Sequence, residues 1–387
     1  MTTRAWRLYP EANGSAHADV VFGDEVTVPD APGLSFQLTR LTGGLSDGVH
    51  LLTLTAGDVQ VTLLPTRGMG VWDMRCGGVR VGWQSPTAGP VHPAFVNLDE
   101  PSGLGWLDGF DELLVRCGLQ SNGAPEFASD GRLVYPVHGR IANLPARSVI
   151  VEFDPASRTL SATGVVEECR LHFAKLRLTT RLSIVLGENA FSLHDRIQNL
   201  SEAPAEAQML YHINVGPPLL GEGSRLLAPI KQLAPRDETS AGGFATWSKM
   251  PPPGASLEEQ AFYAELWPDE RHESHAVLVD PREERGVKLS YDSVSLPCFT
   301  YWKNLRSVSD GYVVGLEPGS NFPNNSSFEK QQGRSYRLAP GGSVECRLRL
   351  AYLGNPADVR SATHAVAATQ ANRPPEIRSQ PQDGWSP

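Results

Sequence analysis

The sequence predicts an all-β protein, and three observations carry that reading. Short runs of alternating apolar and polar residues recur along most of the chain, helical periodicity is scarce, and turn residues punctuate the runs at near-regular spacing. The 37 glycines and 31 prolines exceed one residue in six of the 387, against about 12% in average usage. They fall in short clusters rather than in one tract, as many turns between antiparallel strands require.

Taken in order, 51–55 and 59–64 alternate on either side of Ala56-Gly57-Asp58, a hairpin pattern. Runs at 149–153 and 159–166 flank Asp154-Pro155 in the same way. The segment 169–186 (CRLHFAKLRLTTRLSIVL) alternates throughout, and is too β-branched towards its end for an amphipathic helix. After Gly187-Glu188-Asn189 comes 191–197, and further strands are expected at 276–279, 287–291, 311–316, 335–338 and 344–352. The best helical stretch is 256–266. So many short strands predict one large antiparallel sandwich or barrel over 31–355. A decorating arm (1–30) precedes it, and a polar C-terminal tail (356–387), partly flexible, follows. The Pro-, Gly- and charge-rich 228–254 reads as an excursion within that domain.

Several functional classes fall away. Lys and Arg number 34 against 43 Asp and Glu, a net charge of −9 with no basic stripe, so no nucleic-acid partner is expected. No apolar run approaches the length of a membrane span. The opening ten residues lack the apolar segment of a secretory signal, and five scattered cysteines show no C-x-x-C pair. A cytoplasmic protein with reduced thiols is the expectation.

Three segments bear chemistry. In Tyr135-Pro136-Val137-His138-Gly139-Arg140, a Pro and a Gly bracket His138 and let the backbone bring its imidazole into a cleft. In Met209-Leu210-Tyr211-His212-Ile213-Asn214, His212 and Asn214 lie two apart and so share one face of a strand. Glu317 closes the apolar run 313–316 directly before Pro318-Gly319, where a buried acid is costly unless paired. Each also has a plain structural reading, as a satisfied core or strand-end group. Together, two imidazoles and a carboxylate can supply a general acid and a general base near neutral pH. Gly68-Met69-Gly70 lacks the third glycine of a dinucleotide loop, no nucleophile elbow occurs, and no cofactor is expected. His272-Glu273-Ser274-His275 has the spacing of metal ligands but lies in a polar stretch, so no metal is expected either.

The succession His138-Gly139-Arg140, Tyr211-His212-Ile213-Asn214 and Leu316-Glu317-Pro318-Gly319 resembles the aldose 1-epimerase (galactose mutarotase-like) superfamily. Leu64-Pro65-Thr66-Arg67-Gly68-Met69-Gly70, Gly109-Phe110, Arg116-Cys117-Gly118-Leu119, Gly123-Ala124-Pro125 and the run from Val137 to Asn143 resemble its DUF4432 branch. The resemblance covers roughly 35–353 and implies a large antiparallel β-supersandwich with a sugar cleft on one face. It implies Glu317 as the base on the anomeric hydroxyl, His212 as the acid on the ring oxygen, and His138 as an assisting hydrogen-bond partner. The chemistry it implies uses no metal or cofactor, and the partner is a small carbohydrate. Substrate-binding roles are expected for Arg67, Arg140, Asn214, Trp302 and Lys303. Where mutarotases carry His-Gly-Gly this chain has Arg140, which suggests an anionic sugar. A related epimerase, isomerase or lyase on a modified sugar, and a non-catalytic sugar sensor, are the competing readings.

Overall fold

Alternating segments with one apolar face pair with their neighbours and bury that face against a second sheet. In the structure, a computed structural model that describes residues 3–9, 19 and 21–387, two large sheets result. One has nine strands, ordered in space Arg4–Arg7, Ser148–Asp154, Thr159–Cys169, Lys175–Val185, Ala190–Asn199, Ser343–Leu353, Gly286–Asp292, Glu273–Val279 and Arg225–Leu227. The other has fourteen. In its interior Leu114–Leu119, Ala205–Val215, Val313–Gly319, Cys298–Asn304 and Gln260–Leu266 lie side by side.

One core fills the space between the sheets. Phe36, Leu52, Val61, Tyr211 and Leu316 from the larger sheet belong to the same cluster as Val151, Leu160, Leu178, Phe191 and Leu348 from the smaller. Each such side chain contributes about 1.5–3 kcal/mol by leaving water. A buried ion pair crosses this core: Arg116 donates to both carboxylate oxygens of Asp195, to the Thr180 hydroxyl and to the carbonyls of Gly68 and Met69. The Tyr211 hydroxyl donates to Asp195 from the neighbouring strand, at 2.9 Å.

Three sequence expectations change. The long alternation at 169–186 is interrupted: Thr159–Cys169 and Lys175–Val185 are two strands of one hairpin, and the chain reverses at 170–174, where His172 adopts a left-handed φ of 66°. The helix expected at 256–266 is instead the strand Gln260–Leu266. It is paired on both edges and almost wholly buried, so its apolar residues do not alternate. The tail, expected to be polar and partly flexible, contains the helix Pro356–Gln370, capped by the Asn355 side chain. Its Val359, Ala362 and Val366 pack on Val277, Val279 and Leu353, a stripe too short and small to stand out in the sequence. Trp385 is also buried, against Phe322. The arm expected at 1–30 lies partly outside the described residues; within it Arg4–Arg7 pairs with Ser148–Asp154, and Glu25–Thr27 with Leu34–Arg40. Among the described residues no helix is long and apolar enough to cross a membrane.

Candidate active site

The site stands on the face of the fourteen-strand sheet turned away from the core. Strand alternation puts Met209, Tyr211 and Ile213 into the core and leaves Leu210, His212 and Asn214 on the opposite face. On Val313–Gly319 the same rule sends Val314 and Leu316 inward and Val313, Gly315 and Glu317 outward. Ile213 pairs with Leu316, and Leu210 with Gly319, so His212 falls directly across from Glu317. Segments that include Trp83, Trp106, Phe110 and Ala142 cover this face with a second apolar cluster. The result is a cavity of about 250 Å³ whose lining includes His138, His212, Glu317, Phe110 and Trp302.

His212 and Glu317 touch. Nε2 of the imidazole is 3.1 Å from Oε1 of the carboxyl, off the line of a good ring hydrogen bond, and Oε1 is buried with no hydrogen-bond partner. Nδ1 of His212 lies 2.7 Å from Oδ1 of Asn214. The Asn214 amide nitrogen donates to the Glu112 carbonyl at 3.0 Å, so its oxygen faces the ring. Nδ1 of His212 therefore carries the proton, which leaves Nε2 unprotonated beside Glu317. Burial holds the His212 pKa well below its ordinary value, and neighbouring His138 adds to this. Burial also lifts Glu317 well above the usual carboxylate range; Arg236 opposes the shift and Glu259 adds to it. Both shifts favour the uncharged forms, a neutral imidazole beside a protonated carboxyl.

Gly315 makes room for this pair. A Cβ there would lie 2.3 Å from Oε1 of Glu317 and 3.0 Å from Cε1 of His212. Gly315→Ala should displace both groups while leaving the strand's backbone bonds in place. We expect turnover to fall about 100-fold or more, the scale of a displacement near 1 Å. Steady-state kinetics on a variant with wild-type circular dichroism checks it.

His138 reaches the cavity from a turn after Leu133–Tyr135, with a left-handed φ of 59°. That conformation costs about 1–3 kcal/mol and is held by backbone bonds from His138 N to Gly123 O, and from Gly118 N to His138 O. Gly139 is required beside it, since a Cβ would sit 2.1 Å from the Ser121 carbonyl oxygen. Nδ1 of His138 donates to the Asn122 carbonyl at 3.0 Å, leaving Nε2 as the ring's other polar atom. The ring stands edge-on to Trp106 and His212, with centroids 4.7 and 5.5 Å away. Burial pulls its pKa down.

Of the five residues expected to bind substrate, Trp302 lines the cavity, its ring centroid 5.3 Å from that of His212. The other four are not among its lining residues. Arg67 is wholly buried; it pairs with Glu112 at 2.8 Å and donates to Asn143 and to the carbonyls of Val91 and Gly109. It acts from beneath, fixing the segment whose Glu112 carbonyl holds Asn214. Asn214 is likewise a positioning residue, buried and spent on His212 and Glu112. Arg140 lies outside the cavity lining and pairs with Asp99 at the surface, at 2.9 Å. Lys303 follows Trp302 and so points to the other face of the strand, where Nζ donates to the Thr246 carbonyl and lies over the Phe262 ring. Burial lowers its pKa to about 8. His275, from the stretch with metal-ligand spacing, is on the nine-strand sheet, bonded to Ser290 and Asp269.

Two charged lining residues escape a reading of the sequence. Arg236 donates to Asp237 at 2.7 Å and to Glu259 at 3.0 Å, and Glu259 accepts the Trp302 indole N–H at 2.9 Å. Arg236 lies in the 228–254 excursion and Glu259 in the stretch read as a helix. Recognising 260–266 as a strand paired with 298–304 would have placed Glu259 beside Trp302.

Comparison with known proteins agrees with this fold. The family model DUF4432, a domain of unknown function, matches residues 46–352. The crystal structure of a putative aldose 1-epimerase from Klebsiella pneumoniae subsp. pneumoniae is similar at 34% identity and a TM-score of 0.92, covering 97% of this chain and 98% of that one. A galactose mutarotase-like protein from Clostridium acetobutylicum shares the fold, with a TM-score of 0.57 at 13% identity over 83% of this chain and 98% of that one. So does a galactose mutarotase related enzyme from Lactobacillus acidophilus, with a TM-score of 0.54 at 12% identity over 78% and 97%. No curated protein matches the chain. With a family match over most of its length and a full-length relative above 30% identity, the chain belongs to the DUF4432 branch of the aldose 1-epimerase (galactose mutarotase-like) superfamily.

Proposed function

We propose that the protein is a mutarotase that interconverts the anomers of a sugar by general acid–base catalysis at Glu317 and His212. The observation that carries this reading is the 3.1 Å contact between Nε2 of His212 and Oε1 of Glu317 in a cavity floored by a sheet and walled by aromatic rings. When a sugar enters, the carboxyl proton passes from Glu317 to Nε2 of His212, giving a carboxylate and an imidazolium. Glu317 removes the proton from the C1 hydroxyl while His212 protonates the ring oxygen. The C1–O5 bond breaks, the C1 carbonyl forms, and rotation about C1–C2 presents its other face for closure by the reverse steps. The open-chain stage leaves Glu317 protonated and His212 neutral, the resting distribution. His138 offers Nε2 to a sugar hydroxyl, and Trp302 and Phe110 offer aromatic surface to the apolar face of the ring.

Only the singly protonated pair can act. Acid adds a second proton at His212, whose pKa is depressed, and removes the base; alkali takes the last proton from Glu317, whose pKa is raised, and removes the acid. The expected profile of kcat/KM against pH is a broad bell, with its acid limb below the ordinary histidine value of about 6.5 and its alkaline limb far above the carboxylate value of about 4.3. A profile controlled by one group of ordinary carboxylate pKa, with no alkaline limb, would contradict the pairing.

Exchange NMR of anomeric protons over a panel of neutral sugars tests the activity itself. Faster α/β interchange without any change of mass supports it. Binding without faster interchange would make the protein a sensor.

A further inference from the structure

We propose that this site is built for an uncharged deoxysugar, its missing hydroxyl lying against an apolar wall of the cavity. The proposal rests on the mutarotase reading for the reaction and on the lining for the substrate.

Charge is the first argument. Among the described residues, Arg236 is the only Arg or Lys lining the cavity, and it already faces two carboxylates, Asp237 and Glu259. With Glu317 on the floor, no cation is left over for a phosphate, sulfonate or uronate group. Arg67 and Arg140, the residues that suggested an anionic sugar, are committed elsewhere.

The wall is the second. Polar groups come from the sheet and its strand ends: His212, Glu317, Thr300, Glu259 and Arg236. The loops opposite contribute Leu104, Leu107, Ala124, Pro125, Val137 and Pro323, and His138 is the polar group they add. The backbone N–H groups of this wall are also spent. Val137 N donates to Gly103 O, Ala124 N to Pro323 O and Leu107 N to Leu104 O, while Pro125 and Pro323 have no N–H to offer. A hydroxyl pressed against such a surface gives up its water and meets no N–H in return. A methyl or methylene in the same place gains by leaving water. Apolar pockets reject an added hydroxyl by no more than about 100-fold. The expected preference is therefore about 10- to 100-fold in kcat/KM. A cavity of about 250 Å³ sits just under the usual range for small-molecule sites, about 300–1,000 Å³, and suits a single sugar ring.

The test uses matched pairs: D-galactose with D-fucose, L-galactose with L-fucose, L-mannose with L-rhamnose, and D-glucose with 2-deoxy-D-glucose, plus D-galacturonate. Interchange rates are read by exchange NMR on the wild type, and affinities by calorimetry on Glu317→Gln. The expected result is at least one pair in which the deoxysugar leads about tenfold or more in both readouts, no response to galacturonate, and a smaller lead in Leu107→Asn. Deoxysugar preference in binding without faster interchange keeps the substrate class and overturns the mutarotase reading. Faster interchange with parity, or with the hydroxylated partner ahead in every pair, or a preference for galacturonate, keeps the mutarotase reading and overturns this one. If no sugar binds or responds, both are overturned.

Discussion

Glu317→Gln should abolish catalysis and make the protein slightly more stable. The amide keeps the shape of the protonated acid and can donate to Nε2 of His212, but it cannot take the C1 proton. General-base contributions run to about 10²–10⁴-fold, and we expect a loss of about 10³-fold in kcat. Sugar affinity should stay within about tenfold, or 1.4 kcal/mol. The stability change follows from the raised Glu317 pKa. An unfolded glutamate loses its proton near pH 4.3, whereas the folded one keeps it to higher pH. The folded state then binds more protons, and stability falls as pH rises above that point. Glutamine removes the penalty, so the Tm of the variant should exceed that of the wild type at pH 8 by about 1–3 °C and by less near pH 4. Differential scanning calorimetry at the two pH values reads both the sign and its pH dependence. A variant less stable than wild type at pH 8 would mean that Glu317 is ionised at rest.

The second large effect concerns the fold. Asp195→Ala leaves the Arg116 guanidinium buried between the sheets without its counter-charge, and the Tyr211 hydroxyl without its acceptor. Removing one partner of a buried pair costs about 3–5 kcal/mol, and urea unfolding should show a loss of that size. The double variant Arg116→Met/Asp195→Leu should recover much of it, because two apolar groups bury no unpaired charge. If the single change cost under about 1 kcal/mol, water would have to be screening the pair, against its full burial in the structure.

That His138, His212 and Glu317 stand out among the residues lining the cavity was legible in the sequence because strand chemistry is local. His212 and Asn214 share a strand face by parity, and Glu317 declares itself as an acid ending an apolar run. That His212 stands across from Glu317 depends on a register no single strand encodes. The Arg236–Glu259 pair that lines the sheet side of the cavity was illegible for a related reason. Gln260–Leu266 is covered on both faces and loses its alternation, so Glu259 was read into a helix and Arg236 into a loop. The arginines misled in the opposite sense. Arg67 and Arg140 have the right chemistry for a substrate, but sequence does not show that one is consumed by Glu112 and the other by Asp99. Lys303 failed on parity alone: next to Trp302, it had to face the other way.

The most direct test of the central claim is to run anomer interchange to equilibrium in D₂O and look for deuterium on carbon. A mutarotase moves protons only between oxygens and its own acid–base pair, so the account predicts fast α/β interchange with every C–H retained, and none of that acceleration in Glu317→Gln. Deuterium at C2 would show that the His212–Glu317 pair works on a different bond, and acceleration that survives the substitution would show that Glu317 is not the base.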